Sequence, residues 1–155
     1  KCGDGGRMGA LVTPLATLLS VQQVNLVAPL QLCQELLEPL KARQGAVVNI
    51  TSIAGSRVHP FAGAAYAVSK AALAALTREL AYDLAEYGVR VNAIAPGEIE
   101  TSILSPGTDR IIEAQVPMKR LGRPEEVAEV VYFLASGQAS YVTGSEIHIN
   151  GGQHV

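Results

Sequence analysis

The sequence predicts an α/β fold with a doubly wound parallel sheet. Helical and strand-like segments alternate in the order helix, strand, helix, strand, helix, strand. The strand-like segments are short, apolar and partly β-branched, as in strands covered on both faces. This alternation is typical of right-handed βαβ units in one sheet. Because the pattern begins with a helix, we expect N-terminal strands to be missing or omitted.

The first helical pattern covers residues 18–40, where apolar residues recur at spacings of three and four. Pro29 lies inside this pattern and should kink or split the helix, because proline lacks the backbone N–H. Gln44-Gly45 provides a stop. Residues 46–51 form an apolar, β-branched run that predicts a buried strand, and a loop is expected over 56–64.

The second helix is predicted to begin near Tyr66 and to run to about residue 87, where Gly88 ends it. Residues 89–95 give the next strand, which Pro96-Gly97 ends. Residues 98–122 are expected to be a connection without regular structure.

A third helix is predicted from Pro124, since proline and the carboxylates of Glu125 and Glu126 are favourable in a first turn. It should stop near Gly137. Residues 145–150 alternate in polarity like a strand.

Composition and charge restrict the function. Apolar residues make up 48% of the chain and charged residues 17%, a balance typical of a globular α/β protein. The formal net charge is −2 and tryptophan is absent, which argues against a nucleic-acid partner. No apolar run reaches about 18 residues, so no membrane contact is expected. Cys2 and Cys33 are isolated thiols, which favours a reducing, cytoplasmic location and argues against a metal site.

The chemistry centres on Tyr66 and Lys70, which are four residues apart and therefore neighbours on one helix face. A nearby positive charge favours phenolate, and a phenol tuned in this way can exchange a proton with a substrate oxygen. Ligands of a doubly wound sheet bind beyond the carboxyl ends of its strands, where Ser52 and Pro96-Gly97 are also expected. Carbonyl chemistry needs a proton donor, a second hydrogen-bond donor and a tuning charge.

In order and approximate spacing, Asn25, Ser52, Tyr66 and Lys70 resemble the catalytic tetrad of the short-chain dehydrogenases/reductases. Residues 92–101, which read Asn-Ala-Ile-Ala-Pro-Gly-Glu-Ile-Glu-Thr, are similar to the family's Pro-Gly segment. Two further stretches resemble its C-terminal signatures, at 120–128 and 142–152. The resemblance covers residues 10–155, is strongest to 3-oxoacyl-carrier-protein reductases and small alcohol dehydrogenases, and implies a Rossmann-like fold.

The resemblance implies reversible hydride transfer between NAD or NADP and a ketone or secondary alcohol. Tyr66 would be the general acid/base, Ser52 would polarise the substrate oxygen, and Lys70 would bind the nicotinamide ribose and lower the Tyr66 pKa. Asn25 would support a water that leads protons from Lys70 to solvent. The implied cofactor-binding residues are Tyr66, Lys70, Pro96, Gly97, Ile99 and Thr101.

The resemblance also sets expectations for domains and partners. Residues 1–155 are expected to form a single partial domain, with a flexible glycine-rich segment at 1–10 and a catalytic portion at 11–155. The family's Gly-rich phosphate turn and coenzyme-selecting residue have no counterpart in the sequence, so the coenzyme stays open. The expected partners are a small carbonyl or alcohol substrate and further copies of the chain, in a homotetramer or dimer.

Two alternatives to this enzyme are open. The chain could be a truncated, catalytically incompetent fragment that acts only in subunit association. It could also belong to a sugar-nucleotide epimerase or dehydratase, since those enzymes share the Tyr-x-x-x-Lys pattern.

The remaining titratable residues are interpreted as ordinary. His59, His148 and His154 have no carboxylate or cysteine at a useful spacing and are taken as surface or strand histidines. Glu98 and Glu100 are taken as a solvated pair on an exposed loop.

Overall fold

Three parallel strands form the sheet in the computed structural model, which describes residues 7–102, 104 and 106–155. In the order β1-β2-β3, the strands are β1 (Ala46–Ile50), β2 (Arg90–Pro96) and β3 (Glu146–Ile149). In the centre of the sheet, Ile94 is in register with Ile50 on one side and with Ile147 on the other. Each strand lies within one residue of its predicted bounds, and all pairs are parallel, as predicted.

Helices flank the sheet on both faces. Within the described residues they are α1 (Leu15–Gln22), α2 (Ala28–Glu35), α3 (Leu37–Arg43), α4 (Ala64–Leu84), α5 (Thr108–Gln115) and α6 (Pro124–Ala135). On one face, Cys33 of α2 and Leu80 of α4 pack with Val91 of β2. On the other face, Ile94 of β2 packs with Leu134 of α6, and neither is accessible to solvent. This arrangement confirms the doubly wound α/β class.

The first helical pattern is interrupted in two places. A π-helical segment, Gln23–Val27, joins α1 to α2, and it immediately precedes the turn that contains Pro29. Pro29 has no N–H, so the Asn25 carbonyl lacks its usual α-helical donor, and the helix widens there as expected for a local disruption. The full break comes later, at Leu36, where φ is −95° and ψ is 12°.

The same helical stretch corrects the expectation that no segment could span a membrane. Leu15–Glu35 is continuous over 21 residues with a mean hydropathy of 1.2, so its length and composition alone would allow it to cross a bilayer. This is weak support for a membrane span, because helices of soluble proteins meet the same criteria. Here the stretch packs against α4.

The prediction that 98–122 lacks regular structure is wrong for α5, which buries Ile111. Its eight residues contain only three apolar ones, Ile111, Ile112 and Ala114, and so short a stretch gives too few positions for an apolar repeat to indicate a helix. Residues 1–6 of the glycine-rich segment, with Cys2, lie outside the described residues. Beyond them, the Met8 carbonyl accepts a hydrogen bond of 2.9 Å from the Ala64 N–H, at the start of α4.

Candidate active site

A cleft of about 1080 Å³ opens at the carboxyl ends of β1 and β2. Side chains from the π-helical segment, from the turn after β1, from α4 and from the segment after β2 line it. Its lining includes every residue assigned to the site from the sequence: Asn25, Ser52, Tyr66, Lys70, Pro96, Gly97, Ile99 and Thr101. These residues therefore share one cleft, while the roles assigned to them stay predictions.

Tyr66 and Lys70 lie on the first two turns of α4 and face the cleft. The Lys70 Nζ is 5.6 Å from the centroid of the Tyr66 ring. It also donates a hydrogen bond of 2.7 Å to the carbonyl of Ile50, the last residue of β1. Burial lowers the pKa of the Lys70 ammonium, because a desolvated charge is disfavoured. The lysine is therefore fixed between the sheet and the phenol rather than extended into solvent.

Ser52 lies directly after β1 and caps a short 3₁₀ turn, Ile53–Gly55. Its Oγ accepts a hydrogen bond of 3.2 Å from the Ala54 N–H, while its hydroxyl hydrogen has no acceptor among the described residues. Gly55 lets this turn pack directly on α4, since an added Cβ would lie 2.9 Å from the Ala71 nitrogen and 3.0 Å from the Lys70 carbonyl carbon. Close packing thus fixes Ser52 relative to Lys70.

Asn25 is joined to α4 through a residue that the sequence analysis missed. Its Nδ2 donates a hydrogen bond of 2.9 Å to the Oγ of Ser69, and that Oγ donates one of 2.7 Å to the Tyr66 carbonyl. Ser69 is fully buried. Its place directly before Lys70 in the Tyr-x-x-x-Lys stretch was the available signal. The amide of Asn25 is therefore held beside the turn that carries both Tyr66 and Lys70.

The Pro96-Gly97 turn is held by unusually close packing. A Cβ on Gly97 would lie 2.6 Å from the Asn150 Cβ, so only glycine fits. After the turn, the Gly122 N–H donates to the Glu98 carbonyl at 2.9 Å, and the Glu100 N–H donates to the Gly122 carbonyl at 2.8 Å. Thr101 follows on an exposed part of the cleft rim.

His59 and Glu98 correct the interpretation of the titratable residues. The His59 Nε2 lies 2.6 Å from the Glu98 Oε1, and the two side chains are only 12% and 11% exposed. Both line the cleft. Glu100 is exposed, as expected. The positions of the two residues in the sequence could have indicated this contact. His59 lies between Ser52 and Tyr66, and Glu98 directly follows Gly97, so the loops that carry them lie at the same edge of the sheet.

The other two histidines do not line the cleft. His148 of β3 stacks on His154 with ring centroids 4.2 Å apart, and the His154 Nδ1 is 2.8 Å from the Asn150 Oδ1. In the part of the chain that the structure describes, no three or more His, Cys, Asp or Glu side chains are grouped as a metal site would require.

Residues 5–154 match the family model described as enoyl-(acyl carrier protein) reductase. The chain is 59% identical over all of its 155 residues to Protein FixR of Bradyrhizobium diazoefficiens, and covers 56% of that protein. It is 41% identical over 140 residues to the 3-oxoacyl-[acyl-carrier-protein] reductase FabG of Rickettsia felis, a match that includes 85% of this chain and 56% of the relative. The chain thus spans little more than half the length of these relatives.

Solved structures are similar over nearly the whole chain. A short-chain dehydrogenase/reductase family oxidoreductase from Brucella ovis, in complex with a partially ordered NAD, is 57% identical with a TM-score of 0.78; the match covers 97% of this chain and 60% of that one. A 3-oxoacyl-[acyl-carrier protein] reductase from Brucella melitensis with bound NAD is 33% identical with a TM-score of 0.90, over 97% of this chain and 57% of that one.

Proposed function

The chain belongs to the short-chain dehydrogenase/reductase family, and on that basis we propose that it carries the catalytic residues of an NAD(P)-dependent oxidoreductase that interconverts a ketone and a secondary alcohol. A phenol, a hydroxyl and an ammonium all line one cleft at the carboxyl ends of parallel strands, and this observation carries the proposal. In the family, such a set is the expected machinery for carbonyl reduction.

In this proposal, each side chain has a role that follows from its surroundings. Tyr66 donates its proton to the substrate oxygen during reduction and takes it back during oxidation. The Lys70 ammonium, 5.6 Å from the ring centroid, stabilises the phenolate that forms when that proton leaves. Ser52 has a hydroxyl hydrogen without an acceptor in the described residues, and it donates this hydrogen to the same substrate oxygen. Asn25 supports a water that relays protons from Lys70.

The residues present fit the reacting end of a nicotinamide cofactor. Pro96, Gly97 and Ile99 give the cleft an apolar wall, and Lys70 supplies an ammonium for ribose hydroxyls. Thr101 on the rim supplies a hydroxyl for the carboxamide or nearby phosphate. When bound, the cofactor supplies or accepts the hydride. NAD in the two Brucella structures supports a nicotinamide coenzyme here, with NAD or NADP both open.

The proposal extends to the domain and its partners. In this proposal residues 1–155 belong to a single partial domain in which 11–155 is the catalytic portion, and the protein works in the cytoplasm as a homotetramer or dimer on a small carbonyl or alcohol substrate. Exposed leucines on consecutive helices support self-association, since large exposed apolar surfaces mark interaction sites: Leu15, Leu19, Leu32 and Leu36. Light scattering on the purified protein measures the assembly directly.

A tyrosine replacement tests the proposed reaction. Because the chain spans little more than half of its relatives, the test uses the natural gene product at its full length. Tyr66→Phe should lower turnover of secondary alcohols by about 10²–10⁴-fold, the usual contribution of general acid/base catalysis, while a titration with NADH or with NADPH still saturates.

The matched control is Tyr82→Phe, since Tyr82 lies on the same helix but is 85% exposed; turnover there should be unchanged. Equal activity of the two variants would contradict the proposal. Absence of saturable cofactor binding by the natural gene product would favour the fragment that acts only in subunit association.

A further inference from the structure

His59 and Glu98 form a side-chain pair in the cleft that the proposed reaction does not use. They come from the loop before α4 and from the segment after β2, and they meet at 2.6 Å between Nε2 and Oε1. Their side chains are nearly buried yet line the cleft. Burying a carboxylate costs free energy unless it is paired or hydrogen-bonded. The hydrogen-bond partners of Glu98 therefore indicate what this side chain can do.

Hydrogen bonds fix the protonation of the pair. The His59 Nδ1 accepts hydrogen bonds from the backbone N–H groups of Phe61, at 3.2 Å, and of Ala62, at 3.3 Å. A ring nitrogen that accepts hydrogen bonds carries no proton, and we therefore assign the ring proton to Nε2, which donates it to Glu98. An imidazole with a single ring proton is uncharged, so His59 orients the Glu98 carboxylate without neutralising it.

One oxygen of this carboxylate is left for a ligand. Within the described residues, the Glu98 side chain has no hydrogen bond other than that from His59, so Oε2 is an acceptor without a donor. Lys70, which lines the cleft, donates to the Ile50 carbonyl, and Arg57, which is not part of the lining, donates to the Gln153 carbonyl. An ionised oxygen with room for a donor makes a strong hydrogen bond with an ammonium or hydroxyl group.

We propose that Glu98, oriented by His59, is the residue that determines substrate specificity: it selects secondary alcohols and ketones that carry an ammonium or hydroxyl group close to the reacting carbon, and it rejects carboxylates there. This inference rests on the proposed function, because Glu98 directly follows the Pro96-Gly97 turn at the reacting end of the cleft. His59 acts as a positioning residue that holds the carboxylate without neutralising it.

Four secondary alcohols of nearly equal size test the selection. Isopropanolamine, propylene glycol, sec-butanol and lactate each carry a methyl group on the carbinol carbon, and they differ in its other carbon substituent, which is an ammoniomethyl, a hydroxymethyl, an ethyl or a carboxylate group. Their dissociation constants from the full-length protein are measured by ligand-detected NMR, in the presence of the oxidised form of whichever coenzyme binds in the NADH and NADPH titrations. Isopropanolamine should bind at least about tenfold more tightly than sec-butanol, as expected for a charge-assisted hydrogen bond, and lactate should bind most weakly.

The variant Glu98→Gln keeps the shape of the side chain and removes its charge. In this variant the preference for isopropanolamine over sec-butanol should fall to about threefold or less, and lactate binding should improve. Glu98→Ala should abolish the preference as well, and serves if the glutamine variant is unstable. Glu100→Gln is the matched control, because Glu100 lies two residues away, is exposed and carries the same charge; its order of affinities should equal that of the wild type.

The order of affinities and the measured turnover together distinguish a failure of this inference about Glu98 from a failure of the proposed reaction. Equal or absent binding of the four alcohols, or an order unchanged by Glu98→Gln, overturns the role of Glu98 even if some alcohols are oxidised. The expected order of affinities without oxidation of any of them supports the role of Glu98 and counts against the proposed reaction. A uniform loss of affinity for all four in Glu98→Gln assigns the pair a purely structural role and also overturns the inference.

Discussion

Tyr66 and Lys70 line the cleft from α4, whereas His59 and Glu98 line it from loops. The helix side comprises Asn25, Ser52, Tyr66 and Lys70, and is held by hydrogen bonds and close packing onto α4. The loop side comprises His59, Gly97, Glu98 and Gly122, and is held by the His59–Glu98 pair, by backbone hydrogen bonds and by the packing of Gly97 against Asn150. A rigid helix suits groups that must meet one substrate oxygen, whereas loops can vary the rest of the substrate.

This comparison predicts that replacements on the helix side reduce turnover most. Ser52→Ala should lower kcat by about 10²–10³-fold, because it removes a hydrogen-bond donor aimed at a developing charge. Ser56→Ala removes a hydroxyl from the same turn, where it donates to the Ile53 carbonyl at 3.0 Å, and should leave kcat unchanged. Steady-state kinetics on the full-length protein provide the measurement. Equal losses in the two variants would indicate that the turn, and not the Ser52 hydroxyl, limits the rate.

On the loop side, the largest effect should be on stability. Gly97→Ala places a Cβ within 2.6 Å of the Asn150 Cβ and 2.9 Å of its Cα, and a backbone neighbour cannot rotate away. Overpacking of this kind costs about 1–3 kcal/mol in the free energy of unfolding. Gly137→Ala is the control, because nothing lies within 4 Å of the added atom. Urea denaturation that finds the two variants equally stable would show that the Pro96-Gly97 turn is looser than its packing indicates.

A smaller effect is expected at the link between Asn25 and α4. In a double-mutant cycle of Asn25→Ala and Ser69→Ala, the coupling in the free energy of unfolding should be about 0.5–1.5 kcal/mol, the net value of a hydrogen bond. The control cycle uses Asn49 and Thr77, which form a bond of the same 2.9 Å length away from the cleft. Both cycles should show coupling in stability, but only the first should lower kcat. Coupling without an effect on kcat would make Asn25 purely structural.

The helix side and the loop side also differ in how much of each could be predicted from the sequence. Tyr66 and Lys70 are neighbours because of helical spacing, a local property that can be read directly. His59 and Glu98 are 39 residues apart, and their contact depends on how two loops end at one sheet edge. Neither loop has a repeating pattern of apolar residues, so no periodicity indicates where its side chains point. For the same reason α5, which follows Gly107 without a side-chain cap, was missed while the strands were found.

The smallest effect concerns Glu126, which supports the loop side from the start of α6. Hydrogen bonds from the Arg120 guanidinium and then from the Arg123 N–H lower the pKa of Glu126 to about 2. In the unfolded chain this pKa is about 4.3. The folded state therefore gains stability from the ionised carboxylate above about pH 4.3, and loses that gain as the pH falls toward about 2. Because the pair is exposed, the gain is small and decreases with salt.

Glu126→Gln should therefore lower the urea midpoint slightly at neutral pH and low salt, and the difference from wild type should vanish in acid. Glu125→Gln is the matched control, because Glu125 occupies the same first turn but has no ion pair among the described residues. Its urea midpoint should differ from that of the wild type by less than the midpoint of Glu126→Gln does, because only the interaction with the helix dipole is lost.

Arg120 and Arg123 flank Gly122, which hydrogen-bonds the backbone of Glu98 and Glu100. Amide hydrogen exchange in Glu126→Gln should thus quicken at Gly122 and Glu100 while amides within α4 stay protected. If amide exchange became equally faster within α4, the helix side and the loop side would open as one unit. The two sides would then differ in sequence pattern but not in local stability.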